Sequence, residues 1–145
     1  MKHVLSLLLM AFSAQAAPVV SQVEWRPACD GSTIEFVADE GRLASVRANA
    51  IHSDSVIEWT IHYLDGRPVT AEFRESERVR VVEGENAGDY TGETPLRRLQ
   101  TFKWQDSGFA ITDKSLADDL KDILTKVEAA RKKAATPASK PKTSD

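Results

Sequence analysis

The chain has 145 residues, with 19 Lys and Arg, 22 Asp and Glu and a formal net charge of −3. This mildly acidic balance argues against a general nucleic-acid-binding protein, which would carry a basic stripe. The single cysteine, Cys29, excludes an intrachain disulfide, so the fold must be held together by its apolar core.

The first 16 residues have the pattern of a secretory signal peptide. A basic start at 1–3 is followed by an apolar stretch at 4–12 and by the small-x-small sequence Ala14-Gln15-Ala16. The apolar stretch is shorter than the roughly 20 residues that a membrane-spanning helix needs. We therefore expect cleavage between Ala16 and Ala17, a periplasmic or secreted protein, and no transmembrane segment.

Residues 17–32 are expected to form an N-terminal segment ahead of the domain, and they contain Cys29. In the oxidising space that export implies, this cysteine has no intrachain partner. A small, partly buried residue is the favoured interpretation. Intermolecular pairing and a reactive thiol remain open.

Segments rich in β-branched and aromatic residues then recur between turn signals, a pattern typical of strands. They are 33–38, 42–48, 55–63, 68–73, 78–83, 97–104 and 109–112. The turns between them are close together. This spacing predicts an antiparallel meander of six to seven strands.

The registers are predicted from the requirement that neighbouring strands bury their apolar residues on one common face. A three-residue loop, 64–66, pairs Ile61 with Val69, Trp59 with Ala71 and Ile57 with Phe73. A loop at 39–41 likewise pairs Phe36 with Ala44 and Ile34 with Val46, and a link at 75–77 pairs Phe73 with Val79. A four-residue loop, 105–108, is preferred for the last hairpin because it pairs Trp104 with Phe109 and Phe102 with Ile111.

From Asp113 the apolar period changes to that of a helix. Ser115 and Asp118 resemble a capping box, acidic residues lie near the start, and the basic residues 131–133 lie near the end. The residues at 136–145 are rich in Pro, Ser, Thr and Lys, which predicts a disordered tail. A single α+β domain is therefore expected at 33–135, with one face of the sheet covered by the C-terminal amphipathic helix.

The segment Tyr63-Leu64-Asp65-Gly66-Arg67 joins an aromatic-rich strand to the next through an Asp-Gly-basic turn. With the signal peptide and the C-terminal helix, residues 33–133 resemble small exported bacterial β-meander proteins, a group without an assigned activity. Pro68 departs from that pattern, since an aliphatic residue is usual there. The resemblance implies the fold but no active site.

The sequence favours a non-enzymatic protein without a cofactor or metal. His52 and His62 are not spaced as zinc ligands, and there is no Gly-x-Ser-x-Gly nucleophile elbow. The predicted register places Glu58 opposite Glu72 on the polar sheet face, which also carries His62 and Arg74.

The acidic loop 83–94 adds Glu85, Asp89 and Tyr90 as candidate partner-binding residues. The sequence thus predicts a protein of the inhibitor or immunity type that binds an envelope protein or cell-wall component through the polar sheet face and this loop. Two alternatives remain open: a carboxylate-dependent hydrolase, and a carrier with a small-ligand pocket between helix and sheet.

Overall fold

A computed structural model describes residues 17–26 and 31–136 of the chain. They form one antiparallel seven-stranded sheet in which the strands follow their order in the sequence, and one C-terminal helix. The strands are β1 (Val19–Glu24), β2 (Thr33–Asp39), β3 (Arg42–Ile51), β4 (Ser55–Leu64), β5 (Arg67–Glu77), β6 (Leu96–Gln105) and β7 (Gly108–Phe109), and helix α1 is Lys114–Ala135. The predicted α+β meander is confirmed.

Two elements differ from the prediction. The strand β1 belongs to a segment that was not predicted to be a strand, and it pairs with β2 along its whole length. Residues 78–83 were predicted to be a strand but form an irregular connection, because β5 continues to Glu77 and pairs directly with β6. The predicted pairing of Phe73 with Val79 is therefore wrong, and Phe73 lies opposite Gln100. The predicted signal peptide, Cys29 and residues 137–145 lie outside the described residues.

The first two predicted hairpin loops are also wrong, since each turn has two residues and not three. Both central residues have positive φ: 49° and 76° at Glu40 and Gly41, and 51° and 74° at Asp65 and Gly66. This is the type I′ turn, whose twist matches that of the flanking strands. Glycine takes the second position in both turns because a residue without a Cβ adopts positive φ without strain.

A two-residue turn alone would place the apolar residues of the two strands on opposite faces, and a bulge corrects this. In each hairpin the second strand contains one extra residue two positions after its start, Ala44 in β3 and Val69 in β5. Beyond the bulge, Trp59 lies opposite Phe73 and Ile61 opposite Ala71. The predicted common face is thus present, but each pairing is displaced by two residues from the predicted one.

The third hairpin keeps the predicted register, but its turn has two residues, 106–107, and not the predicted four, because Gln105 pairs with Gly108. Trp104 lies opposite Phe109, and their rings meet edge to face with centroids 5.0 Å apart. The pairing of Phe102 with Ile111 does not form, because β7 ends at Phe109.

One face of the sheet and one stripe of the helix form the core. Trp59 is its largest central side chain, 1% exposed, with its ring 5.2 Å from that of Phe73 and 6.0 Å from that of Phe102. The sheet side of the core comprises Ile34, Phe36, Leu43, Val46, Ala48, Ala50, Trp59, Ile61, Ala71 and Phe73. Helix α1 contributes Leu116, Leu120, Ile123 and Val127, and Trp25 follows β1.

Polar contacts fasten the helix to the sheet at three places. Its N-cap is Asp113 and not the predicted Ser115: the carboxylate accepts hydrogen bonds from two helical N–H groups and pairs with Arg98 of β6, and these contacts lower its pKa, with Arg98 the main cause. In the middle of the helix, Asp119 pairs with Arg26, and Asp122 accepts a hydrogen bond of 3.1 Å from the Trp25 indole. Near its end, Arg131 donates to the Gly41 carbonyl of the β2–β3 turn.

The bulge hypothesis predicts the effect of deleting Val69. The deletion changes the parity of β5 and turns Ala71 and Phe73 towards solvent, so the variant should lose its cooperative thermal transition in circular dichroism. Inserting a second glycine after Gly66 into the deletion variant restores an even register and should restore the transition. A deletion variant that melts like the wild type would contradict the role of the bulge.

Candidate functional site

Among the described residues, a groove of about 800 Å³ lies between helix α1 and the hairpin ends of β3 to β7. It forms because the helix lies closest to β1 and β2 at the opposite side of the sheet. We call this cavity the helix–sheet groove. Its sheet side contains Leu43, Tyr63, Gly66, Trp104, Ser107, Gly108, Phe109 and Ile111.

The helix side of the groove has an apolar floor and a charged rim. Leu120, Leu124 and Val127 continue the apolar stripe of α1 into the groove, while Lys121, Glu128, Arg131 and Lys132 stand around it. The rim therefore carries three cationic side chains and one anionic side chain. A concave apolar surface with a few polar groups at its margin is the usual form of a small-molecule binding site.

Two aromatic residues line the groove in different states: Trp104 is exposed and Tyr63 is half-buried. Trp104 is 37% exposed, whereas Trp25 and Trp59 are each 1% exposed. The Tyr63 hydroxyl is half-buried, and loss of hydration raises its pKa to about 12, with Glu128 adding to the shift and Arg131 opposing it. The phenol thus remains a neutral hydrogen-bonding group across the physiological pH range.

The residues predicted for the polar sheet face do lie on that face, but in a different arrangement. Glu58 lies opposite Arg74 and not opposite Glu72, with Arg74 Nε 3.9 Å from Glu58 Oε2. Glu72 lies between Thr60 and Thr101, and His62 lies between Ser45 and Thr70. Among the described residues the expected directly opposed like-charge pair is therefore not formed, and Glu58 and Glu72 are diagonal neighbours on β4 and β5.

The acidic loop 83–94 is held in place by Tyr90, one of the predicted residues. The Tyr90 hydroxyl donates to the Ser53 carbonyl at 2.6 Å, and the guanidinium groups of Arg78 and Arg80 lie 3.4 and 4.6 Å from the centre of its ring. The Asp89 carbonyl accepts from Val81 N–H at 2.8 Å. Glu85 is exposed.

The seven predicted residues thus fall into two groups, four on the sheet face and three in the loop. Among the described residues no hydrogen bond or ion pair joins the two groups. His52, considered as a ligand from sequence, has its Nε2 3.5 Å from Arg26 Nη1.

Sequence reasoning missed the helix–sheet groove residues themselves. It anticipated a pocket between helix and sheet, but of the large aromatic residues Trp59, Phe73 and Trp104 only Trp104 lines the groove. The sequence signal that could have indicated the groove was the apolar residue Leu124 beside the cationic residue Lys121 on α1.

Within 17–26 and 31–136, no cluster of three or more potential metal ligands is present, and α1 is too polar to span a membrane. No family model, curated protein or solved structure matches the chain.

The raised pKa of Tyr63 predicts a loss of stability in alkali. Its phenol ionises near pH 10 in the unfolded chain and near 12 in the folded chain, so the contribution is complete below pH 10 and is lost as pH rises towards 12. Urea unfolding between pH 9 and 12 should show a steeper decline for the wild type than for Tyr63→Phe. Equal slopes would show that the hydroxyl is as well hydrated as in the unfolded chain.

Proposed function

We propose that this chain is a non-catalytic binding protein that holds a small amphipathic anion, an acyl chain with a terminal carboxylate or phosphate, in the helix–sheet groove. The observation that carries the proposal is a concave surface in which Trp104, Phe109, Ile111 and Leu124 are accessible to a ligand. Apolar side chains in such a groove gain stability when a ligand displaces water from them.

The charge of the rim supports an anionic head group. Arg131 lines the groove together with Tyr63 and pairs with Glu128 at 3.4 Å, whereas neither Lys121 nor Lys132 forms an ion pair with another described residue. A carboxylate or phosphate would find cationic donors there, whereas a cationic head group would be repelled.

The proposal includes export. The signal peptide predicted at 1–16 and the resemblance to small exported β-meander proteins support a periplasmic or secreted location. An acyl-chain binder outside the cytoplasm would shield the apolar part of an envelope component from water. This role requires a groove and no reactive group.

Laurate, a 12-carbon carboxylate, is the probe for this proposal. Since Trp25 and Trp59 are buried, a blue shift of tryptophan fluorescence on titration reports on Trp104, and Trp104→Phe should abolish it. Decanoate should bind about fifteenfold more weakly than laurate, because each CH₂ contributes about 0.8 kcal/mol. Affinity that is independent of chain length, or no saturable shift, would contradict the proposal.

Two matched leucines provide the control. Leu124 lines the groove, whereas Leu99 is exposed on the opposite face of the sheet. Leu124→Gln should weaken laurate binding about tenfold, since a polar group replaces apolar contact, and Leu99→Gln should leave it unchanged. Lys132→Glu should weaken the binding of laurate but not that of neutral dodecanol.

The binding of an envelope protein or wall component is a second candidate function. It is favoured by a polar sheet face that no described element covers and by the acidic loop that Tyr90 holds against Ser53. An exposed and ordered surface can bind a partner without a large change of shape.

This second function is tested by capture from an envelope extract. Reversal of two charges on the sheet face, Glu58→Arg with Glu72→Arg, should abolish recovery of a partner that the wild type retains at moderate salt. Leu124→Gln should still capture it, because the groove lies on the other face. Capture that survives the double reversal would exclude the sheet face as the binding surface.

A further inference from the structure

The two edges of the sheet are chemically different. At the β1 edge, residues 19–23 read Val-Val-Ser-Gln-Val and carry no charge, and Val19 and Val20 are 62% and 60% exposed. Near the other edge, β6 carries Arg97, Arg98 and Lys103. Charged side chains protect a sheet edge against pairing with another chain, and β1 lacks this protection over five consecutive residues.

The backbone of β1 also has unpaired groups at its free edge. The register of β1 with β2 continues to Trp25 and Ser32, where Trp25 N–H donates to the Ser32 carbonyl at 3.3 Å. In an antiparallel strand, alternate residues direct their backbone N–H and C=O groups to the same side. The backbone groups of Ser21 and Val23 are therefore directed at β2, like those of Trp25. The backbone N–H and C=O groups of Val20 and Gln22 are directed away from the sheet, and no described strand pairs with them.

The sequence of β1 is self-complementary about Ser21. If two copies pair antiparallel with Ser21 opposite Ser21, Val19 of each copy lies opposite Val23 of the other on the core face. On the outer face Val20 lies opposite Gln22, and these two residues exchange both N–H···O=C bonds because both direct their backbone groups outward. The register therefore satisfies the free backbone groups and buries the exposed valines without opposing like charges.

We propose that the β1 edge binds a second copy of this chain, forming a two-fold symmetric dimer with one continuous sheet centred on Ser21. The pairing is isologous, so it closes at two copies and leaves the basic β6 edges at the outside. The helices α1 of both copies lie on the same side of the joined sheet. The groove between α1 and β3 to β7 is left open, so the proposal is independent of ligand binding.

Disulfide trapping tests both the dimer and its register, in protein purified from the full coding sequence with its N-terminus determined by mass spectrometry. In a Cys29→Ser background, Ser21→Cys places the two thiols opposite each other at a non-hydrogen-bonded pair, where Cα atoms lie about 4.5 Å apart, within disulfide range. It should give a covalent dimer under mild oxidation. The matched variant Val19→Cys should not, since four residues separate its two copies along the strands by about 13 Å.

A pair of charge variants provides independent evidence without oxidation. Val20→Lys with Gln22→Lys opposes like charges across the two-fold axis and should weaken dimerisation about tenfold in sedimentation velocity. Val20→Lys with Gln22→Glu places opposite charges at the same positions and should retain the dimer. The Gln22→Glu change adds no favourable charge pair within one copy, because Gln22 faces Glu35 of β2.

Other outcomes would overturn the proposal. A wild-type protein that remains monomeric at every concentration while Ser21→Cys fails to cross-link excludes the dimer. If Val19→Cys traps a dimer as readily as Ser21→Cys does, the proposed register is excluded. If both charge variants form the dimer equally well, the β1 edge is excluded as the interface. The variant Thr101→Lys, on β6, is the control, and it should not change the mass of the particle observed in sedimentation velocity.

Discussion

The sheet depends on the combination of a two-residue turn with a one-residue bulge. A type I′ turn is favoured by strand twist. By itself, however, it pairs odd-numbered residues of one strand with even-numbered residues of the next and would divide the apolar side chains between two faces. The extra residues Ala44 and Val69, each the third residue after its turn, restore the common face. Trp59, Ile61, Ala71 and Phe73 can then share one core, and charged residues of β4 and β5 lie on the opposite face.

A single helix then has to cover this apolar face. A helix is about 10 Å in diameter, whereas seven strands at about 4.8 Å spacing make a sheet roughly 29 Å wide. Contacts with Trp25 and Arg26 hold the middle of α1 near β1 and β2, and Arg131 holds its end at the first hairpin turn. The uncovered part of the face is closed only in part by Phe109 and Ile111, and the helix–sheet groove is the result.

The acidic residues of α1 show how tertiary contacts change the meaning of a sequence pattern. Asp118, Asp119 and Asp122 were expected to favour the helix macrodipole, but the first turn of α1 contains no acidic residue. Asp119 and Asp122 instead anchor the helix to the residues that follow β1. The basic residues Lys132 and Lys133 do lie in the last turn, as expected from the sequence.

The amino-acid sequence by itself determined the meander, the terminal helix and the face on which each aromatic residue of β4 lies, because these follow from local periodicity and turn residues. It did not determine the registers, since a bulge displaces every later pair while leaving the pattern of faces unchanged. It also could not place the groove or the free β1 edge. Those depend on where α1 lies over the sheet and on which strand remains at its margin, and both are decided by contacts between residues far apart in the chain, such as Arg26 with Asp119.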